Sequence, residues 1–252
     1  KEDMSPLRYF TLMQKKKLSE KIKDEKIIID FAMRYGNPSI KSKMKILHQE
    51  GCENIIVLPL YPQYAAATTA TVCDEVYRTL MKMRWQPSLQ IIPHYESEPL
   101  YIDALVNSLN KKISEINWTP DLILASYHGI PKKYFENGDP YHCYCKKTSR
   151  LLSEKFNKIP IITTFQSRFG PQEWLQPYTD KTLENLPKEG KKNILVICPG
   201  FSSDCVETLE EISIQGKEIF LKSGGQNFEM VPCLNDSDDH IHLLKSLIQR
   251  SI

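Results

Sequence analysis

One histidine stands where a predicted strand ends. The apolar run at residues 121–127 predicts a buried β-strand, and His128 follows it directly, ahead of Gly-Ile-Pro. Neutral imidazole offers a lone pair near physiological pH, so His128 could act as a base or as a metal ligand. A structural histidine held in a turn would fit the same position. Because ligands gather at the carboxyl ends of parallel strands, the functional interpretation stays open.

Three carboxylates follow another apolar strand, at residues 193–198. Residues three and four apart share one face of a helix. A helix over 204–222 would therefore place Asp204, Glu207 and Glu211 in one narrow stripe near its start. Such a row could relay protons or hold a hard cation. A solvated acidic face, with Asp204 favoured by the helix dipole, is the alternative.

Other predicted strand ends are rich in aromatic side chains, with arginines close by. One flat apolar ligand with anionic edges would explain this combination, although each aromatic taken singly fits an ordinary core. The residues are Arg34, Tyr35, Tyr61, Tyr64, Phe165, Arg168 and Phe169.

A pair of cysteines, Cys143 and Cys145, has His142 beside it and could contribute to a soft-metal site. Such a site needs further ligands, and no spacing in the chain selects them. Two reduced thiols near a helix start are the alternative. Other cysteines lie within or beside apolar segments, which is typical of reduced, buried thiols.

The elements that would position these residues follow a repeated pattern in which a strand is followed by a helix. Apolar strands without clean alternation, separated by helices, predict parallel sheets covered on both faces. The pattern breaks at residues 117–120 and then restarts, which predicts two similar α/β domains. We expect residues 1–118 to form the first domain and 119–235 the second, with a C-terminal helix at 236–252 packing back on the first.

The individual elements follow from the same pattern. Strands are predicted at residues 26–33, 54–60, 88–94, 121–127, 159–164, 193–198 and 228–231. Helices are predicted at 37–50 with Asn37 as N-cap, 68–84, 99–116, 141–156, 180–186, 204–222 and 236–252, the last capped by Asn235 or Asp236.

Composition narrows the class of protein. The chain has 252 residues and a formal net charge of +2, with 41% apolar and 25% charged residues. These values exclude a disordered, collagenous or coiled-coil protein and give no reason to expect nucleic-acid binding. Neither a phosphate-loop motif nor a dinucleotide-binding fingerprint occurs, which argues against nucleotide hydrolysis and nicotinamide chemistry.

Five motifs together resemble the ferrochelatases, which insert ferrous iron into protoporphyrin IX to make protoheme. They occur in the family's order and at its spacing, and the resemblance runs from about Ser5 to the C-terminus. The motifs are LPLYPQY (58–64), SYHGIP (126–131), GDPY (138–141), TFQSRFGPQEWLQPYTD (164–180) and PGFSSDCVETLEEI (199–212).

The resemblance implies two similar Rossmann-like α/β domains, with parallel sheets flanked by helices and the active site in the cleft between them. It implies that His128 is the active-site histidine and that Glu207 faces it across the porphyrin, both being catalytic and both able to meet the metal. Glu211 would be the next carboxylate outward and, with Asp204, would form a path for protons or metal.

The resemblance also assigns the porphyrin pocket. Arg34, Tyr35 and Tyr61 match positions that line it, and Phe165 is grouped with them as porphyrin-binding. Arg34 is a candidate partner for a propionate group. The substrates would be protoporphyrin IX and Fe²⁺, and no organic cofactor is expected.

Three departures from the family pattern are visible. The family's N-terminal strand and its NLGTP-like loop are absent from this sequence, so the first domain as given lacks one strand, and we expect the N-terminus to be incomplete or disordered. Cys205 stands where many relatives have a histidine. Some relatives carry a [2Fe-2S] cluster, but here there is no cysteine-rich C-terminal extension, and Ala66 occupies the position of their internal cysteine. A cluster of that type is therefore not expected.

The resemblance thus predicts a lyase that catalyses the terminal step of heme biosynthesis. A related chelatase acting on sirohydrochlorin or a cobalt corrin precursor is one alternative, and a non-catalytic tetrapyrrole-binding protein is another. The expected location is the bacterial cytoplasm with a peripheral membrane contact, and a mitochondrion or plastid is the alternative.

Overall fold

The computed structural model of the chain describes residues 4–252. It contains two parallel β-sheets flanked by helices. The first sheet has the order β1-β2 and the second the order β4-β3-β5-β6, which confirms the α/β class predicted from the continuous apolar runs. The strands are β1 Asn54–Val57, β2 Ser88–Ile91, β3 Leu122–His128, β4 Ile161–Gln166, β5 Asn193–Ile197 and β6 Asn227–Met230.

Serine side chains cap three of the helices. Ser5, Ser39 and Ser237 each accept a hydrogen bond from the backbone N–H three residues further on, which satisfies a donor that a helix start leaves unpaired. The α-helices are α1 Pro6–Lys21, α2 Ile40–Gln49, α3 Thr71–Leu80, α4 Pro99–Glu115, α5 Lys132–Glu136, α6 Tyr141–Phe156, α7 Thr179–Asn185, α8 Val206–Leu209, α9 Lys217–Lys222 and α10 Asp238–Gln249.

Two π-helical segments adjoin these helices. Ala66–Ala70 precedes α3, and Glu211–Gly216 lies between α8 and α9. A 3₁₀ segment, Leu186–Glu189, follows α7. Across the described part of the chain, none of the helices combines the length and hydropathy that a membrane-spanning segment needs.

Strand β3 forms the centre of the larger sheet. Six of its seven residues are buried, and it pairs with β4 on one side and β5 on the other. The β3–β4 register sets His128 opposite Gln166. Because parallel strands end at the same edge of a sheet, the segments that follow β3, β4 and β5 meet at one edge.

The predicted strand at residues 26–33 is wrong. The segment is extended but forms no ladder with other described residues, and its pairing is limited to an isolated bridge between Met33 and Ser39. Its apolar side chains are used in packing: Ile29 contacts one buried cluster and Ala32 another. Hydrophobic burial, and not strand pairing, therefore accounts for the apolar run.

Two predicted helix starts are also wrong. The helix after this segment begins at Ile40, because Ser39 and not Asn37 has the extended backbone and the side-chain bond of an N-cap. The last helix is capped by Ser237, not by Asn235 or Asp236. Asn235 instead adopts a left-handed conformation, with φ at 49°.

The helix predicted over 204–222 is divided. Its first α-helical residue is Val206 with Cys205 as N-cap, and the π-helical segment interrupts it before α9. Asp204 therefore precedes the helix. A π-helix advances by more residues per turn than an α-helix, so the spacing argument for a single stripe of carboxylates does not hold here.

One apolar cluster joins the two sheets. Ile92 and Leu105 from the first half of the chain pack in the same cluster as Tyr127 and Leu195 from the second. Helix α4 packs against both α6 and α10, and α10 also packs against α1. The C-terminal helix therefore lies against the first half.

Buried polar contacts cross the same junction. The Gln63 side chain, 2% exposed, donates to Thr148 Oγ1 at 3.0 Å. Tyr101 donates its hydroxyl proton to the carbonyl of Pro199, and Ser202 Oγ donates to the carbonyl of Leu60 at 2.8 Å. These bonds hold the segments that follow β1 and β5 against each other and against helices α4 and α6.

Candidate active site

His128 is the last residue of β3 and is half-buried. Its Nδ1 lies 2.6 Å from the carbonyl oxygen of Gly129. A carbonyl can only accept, so Nδ1 carries the proton in this bond. Nε2 is then the free lone pair of the neutral ring, and no described residue hydrogen-bonds to it. Phe201 flanks the ring at a centroid distance of 6.4 Å.

Gly129 keeps the chain close to β4 at this point. Its N–H donates to the carbonyl of Gln166 at 2.7 Å. A Cβ at position 129 would lie 2.8 Å from the same backbone carbonyl oxygen, closer than real contacts allow, and a tight 3.1 Å from the Trp174 ring. Glycine is therefore required beside His128, and it fixes the carbonyl that orients the imidazole.

Gln166 connects the strand edge to the carboxylates. Its side chain is buried and accepts from Ser126 Oγ at 2.8 Å. The amide group donates to the carbonyl of Glu207 at 2.7 Å and to Glu211 Oε2 at 3.2 Å. One side chain at the end of β4 therefore fixes the start of α8 relative to β3.

Glu207 is the second residue of α8 and is half-buried. Cys205 caps this helix: its Sγ accepts from the N–H of Thr208, and Thr208 Oγ1 accepts from the N–H of Cys205 at 3.1 Å. Burial and the adjacent Glu207 side chain raise the pKa of the Cys205 thiol to about 12. Cys205 is thus a protonated thiol at neutral pH.

Asp204 lies apart from the predicted stripe. It is 5% exposed, and its carboxylate accepts from Thr208 Oγ1 at 3.1 Å, from the N–H of Cys233 at 3.2 Å and from Asn235 Nδ2 at 2.6 Å. Its own N–H donates to Asn235 Oδ1. The residue ties the start of α8 to the loop after β6.

Glu211 is held by the loop after β4. Its carboxylate accepts from the N–H of Ser167 at 2.6 Å, from the Ser167 hydroxyl and from Gln166. Ser167 has a positive φ of 64°, a region that non-glycine residues rarely occupy. Three donors therefore converge on the Glu211 carboxylate, and two of them belong to Ser167, the residue with the unusual backbone conformation.

The predicted pocket residues Arg34, Tyr35 and Tyr61 lie near one another. The Arg34 guanidinium sits over the Tyr35 ring at 4.5 Å from its centroid. Burial raises the pKa of the Tyr61 hydroxyl, and Tyr35 and Glu207 raise it further. Tyr61 is thus within electrostatic range of Arg34, Tyr35 and Glu207, so the structure brings these side chains to the same edge.

Arg34 has an unpaired donor. Its Nε is inaccessible to solvent and has no hydrogen-bond partner among the described residues. Unpaired buried donors are costly, and each one in a native protein needs an explanation. A carboxylate on a bound molecule would satisfy it.

Phe165 is not a pocket-lining residue. It lies within β4, is 2% exposed and belongs to the cluster that joins the two sheets. Its ring stacks on His142 at 5.7 Å and contacts Tyr127. Side chains alternate across a strand, so Phe165 points to the opposite face from Gln166, and its burial leaves almost no surface with which it could contact a porphyrin.

The paired cysteines do not converge on a metal site. Cys143 is exposed, whereas Cys145 is fully buried, and burial raises the pKa of the Cys145 thiol well above its usual value. Within residues 4–252 no group of three or more His, Cys, Asp or Glu side chains could hold a metal ion.

Two residues of the candidate site were not predicted from the sequence. Gln166 and Ser167 fell inside a recognised motif, but amide and hydroxyl side chains carry no charge pattern that singles them out. Their position just after an apolar strand, aligned with His128, was the available signal.

Solved structures with this fold are chelatases. The structure described as SirB from Bacillus subtilis with Fe³⁺ has a TM-score of 0.71 at 12% identity, covering 97% of this chain and 89% of that one. That of CbiX, described as the terminal enzyme for biosynthesis of siroheme in denitrifying bacteria, has a TM-score of 0.64 at 11% identity over 98% and 92%. The likeness defines the fold class: an α/β protein with two parallel sheets flanked by helices.

Within this class, the chain belongs to the ferrochelatase family. The family model Ferrochelatase matches residues 2–252. A ferrochelatase from Allorhizobium ampelinum is 55% identical over 98% of this chain and 73% of its own length. One from Rhizobium meliloti is 54% identical over 98% and 74%.

The activity follows from the family. The chain is a porphyrin metal chelatase, a lyase whose substrates are protoporphyrin IX and Fe²⁺. It forms protoheme, which is the terminal step of heme biosynthesis. The other functions considered from the sequence, a sirohydrochlorin or cobalt chelatase and a non-catalytic binding protein, are set aside by identities of this size.

Proposed function

We propose that His128 and Glu207 carry out metal insertion. The observation behind this proposal is the tautomer of His128: Nδ1 is committed to the Gly129 carbonyl, which leaves Nε2 as a free lone pair at the strand edge. An imidazole with one nitrogen committed and the other open can accept a proton or contact a metal ion.

The reaction releases two protons for each metal ion inserted. The two pyrrole N–H groups of protoporphyrin IX lose their protons, and Fe²⁺ takes their place among the four nitrogens. His128 Nε2 accepts one proton and the Glu207 carboxylate accepts the other. Both groups can also contact the ion before it enters the ring, since imidazole nitrogen and carboxylate oxygen are ordinary ligands for iron.

Glu211 continues the route from Glu207. The Gln166 amide group contacts both the Glu207 carbonyl and the Glu211 carboxylate, so a proton or a hydrated cation passing Glu207 meets a second carboxylate nearby. Asp204 has a different task in this proposal. Its carboxylate accepts hydrogen bonds from Thr208, Cys233 and Asn235, so it positions the start of α8.

The porphyrin lies in the cleft between two domains, residues 1–118 with 236–252 and residues 119–235. Arg34 Nε donates to a propionate carboxylate, which supplies the partner that this buried donor lacks. Tyr35, 71% exposed, and Tyr61 offer ring faces to the macrocycle. A rigid cleft that holds the ring bent uses binding energy to expose the nitrogen lone pairs.

The finer biological context is also proposed. The curated relatives at 50–55% identity come from bacteria, which supports a bacterial cytoplasmic location. We further propose a peripheral membrane contact and no [2Fe-2S] cluster. Iron and acid-labile sulfide analysis of the purified protein tests the last point, and two of each per chain would refute it.

Anaerobic metal insertion tests the catalytic assignment. Protoporphyrin IX is mixed with Fe²⁺ or Zn²⁺, and porphyrin fluorescence and absorbance are followed. We expect His128→Ala and Glu207→Gln each to lower kcat by about 100-fold or more, the usual size of a general-base contribution. Porphyrin affinity should stay within about threefold, because the contacts assigned to the macrocycle remain.

Matched variants provide the control. His242→Ala and Glu210→Gln change exposed residues of the same types and should leave kcat unchanged. If His128→Ala retains full insertion activity, the role assigned to Nε2 is wrong. If porphyrin binding is lost together with activity, His128 is a binding residue.

A further inference from the structure

A small basic groove lies between α2 and α3, outside the site described above. It encloses about 50 Å³. The apolar faces of the two helices pack inward through Ile40, Met44, Val72 and Val76, so the groove opens on their outer side. Its walls and floor are Lys41, Lys45, Glu75, Arg78, Thr79, Lys82 and Met83.

The groove carries uncompensated positive charge. Lys41 and Lys45 are four residues apart and share one face of α2, and Lys82 faces them from the turn after α3. Arg78 pairs with Glu75 at 2.6 Å, but none of the three lysines forms an ion pair with any described residue. Three unpaired ammonium groups therefore surround a space that suits one small anion.

The floor holds an unpaired donor. Thr79 is 5% exposed, and its hydroxyl Oγ1 is buried without any hydrogen-bond partner among residues 4–252. A hydroxyl left unsatisfied in this way destabilises the protein unless a ligand meets it. Surface lysines alone are common, but a buried hydroxyl at the bottom of the same groove points to a bound group.

We propose that this groove binds a phosphate group. The tetrahedral oxygens of a phosphate monoester accept from several donors at once, and its charge at neutral pH is close to −2. The three lysines supply charge-assisted donors and Thr79 supplies a neutral one. The groove has room for such a group, since one water molecule needs about 10–15 Å³ on the same measure and the groove offers about 50 Å³.

The phosphate can come from a soluble compound or from the headgroup of an anionic phospholipid. Exposed apolar side chains are close to the groove residues in sequence: Met81, beside Lys82, is 73% exposed and Trp85 47%. A lipid surface would contact these side chains together with the lysines, whereas free phosphate needs the groove alone. The two sources are therefore separable by experiment.

Calorimetric titration of the full chain with inorganic phosphate, at constant ionic strength, tests the site. A second arm uses phosphatidylcholine vesicles with and without phosphatidic acid in a flotation assay. Lys41→Gln and Lys82→Gln should each weaken binding about tenfold, which is the loss of one charge-assisted hydrogen bond. Lys191→Gln, an exposed lysine without an ion-pair partner elsewhere, is the matched control and should have no effect.

Thr79 separates a binding role from a structural one. Thr79→Val keeps the shape and removes the hydroxyl, so without phosphate it should leave the thermal unfolding midpoint equal or higher. The same variant should weaken phosphate binding about fivefold or more, and Thr79→Ser should restore most of it.

Saturable binding in either arm that depends on Lys41, Lys82 and Thr79 supports the site and identifies the source. Absence of saturable phosphate binding below about 10 mM, together with no vesicle binding, overturns it. Binding that is equally reduced by Lys191→Gln also overturns it, because the attraction would then come from net charge. Metal insertion should be unaffected by all these variants.

Discussion

Replacing Gln166 by leucine is the sharpest test of how the site is assembled. The side chain is 3% exposed and makes one bond with a hydroxyl, one with a backbone carbonyl, one with a carboxylate and a long one with the Cys198 thiol. Leucine has a similar volume but makes none of these bonds. The variant therefore removes the connection between β3, β4 and α8 without opening a large cavity.

The expected loss of stability can be worked from these contacts. A neutral buried hydrogen bond contributes about 1 kcal/mol and one to a charged group about 1.5 kcal/mol or more. The bond to the charged Glu211 is long, at 3.2 Å, so we take its contribution as about 1.5 kcal/mol and not more. Leucine regains part of the loss as a more apolar side chain, and the free energy of unfolding should fall by about 2–3 kcal/mol.

Activity should respond differently from stability. Glu207 would remain present but its backbone would lose the donor that fixes it. Misplacement of a reacting group by about 1 Å can lower a rate by about 100-fold. We expect kcat for zinc insertion to fall between about tenfold and 100-fold, with KM for porphyrin within about threefold. Denaturant titration and stopped-flow fluorescence measure the two effects separately.

Two further variants complete this test. Gln166→Glu is isosteric but sets a carboxylate against the Glu207 carbonyl and Glu211, so its kcat should be as low as that of Gln166→Leu. Gln63→Leu removes an equally buried amide that contacts neither carboxylate, and it should lower stability while preserving kcat. If Gln166→Leu is destabilised but keeps wild-type kcat, Gln166 does not position Glu207.

Three other outcomes are expected. Burial lowers the pKa of His240 to about 4, so on acidification the unfolded state binds the proton first. The free energy of unfolding should therefore fall by about 2 kcal/mol between pH 8 and pH 5. A His240→Gln variant measured by denaturant titration should lose this pH dependence, and a variant with the same pH dependence as wild type would contradict the assignment. Asp204→Asn should lower the free energy of unfolding by about 2 kcal/mol, because its NH2 group replaces one of the two accepting oxygens and then opposes the donor of either Cys233 or Asn235; a variant as stable as wild type would refute the positioning role. Arg34→Leu should raise KM for protoporphyrin IX about tenfold with little change in kcat, and a mesoporphyrin diester lacking free propionates should show no such difference between wild type and variant.

The larger sheet was predictable because its strands are continuous apolar runs. Strand β5 and helix α6 have the expected positions. Helix α1 gave no such signal: its buried positions include Thr11 and Gln14 as well as Leu18, so no apolar stripe marks it. Conversely, residues 26–33 have the composition of a strand, but backbone pairing depends on a neighbour that composition cannot reveal.

The positions of the candidate site residues were predictable only where they coincide with the ends of regular elements. His128 and Glu207 could be placed because a strand end and a helix start are visible in the pattern. Asp204 could not be placed correctly, because its partners Cys233 and Asn235 are about thirty residues away in sequence. Phe165 was assigned by residue type, whereas burial is a property of the tertiary structure.

The apolar cluster shared by the two sheets bears on how the molecule opens. Separating the halves would expose rings and aliphatic chains from both, together with the amide of Gln63 and the hydroxyl of Tyr101, which links any large hinge motion to partial melting. We therefore expect one cooperative unfolding transition for the whole chain. We expect a flat substrate to enter and leave edge-on, past exposed side chains such as Tyr35, while the two halves stay together.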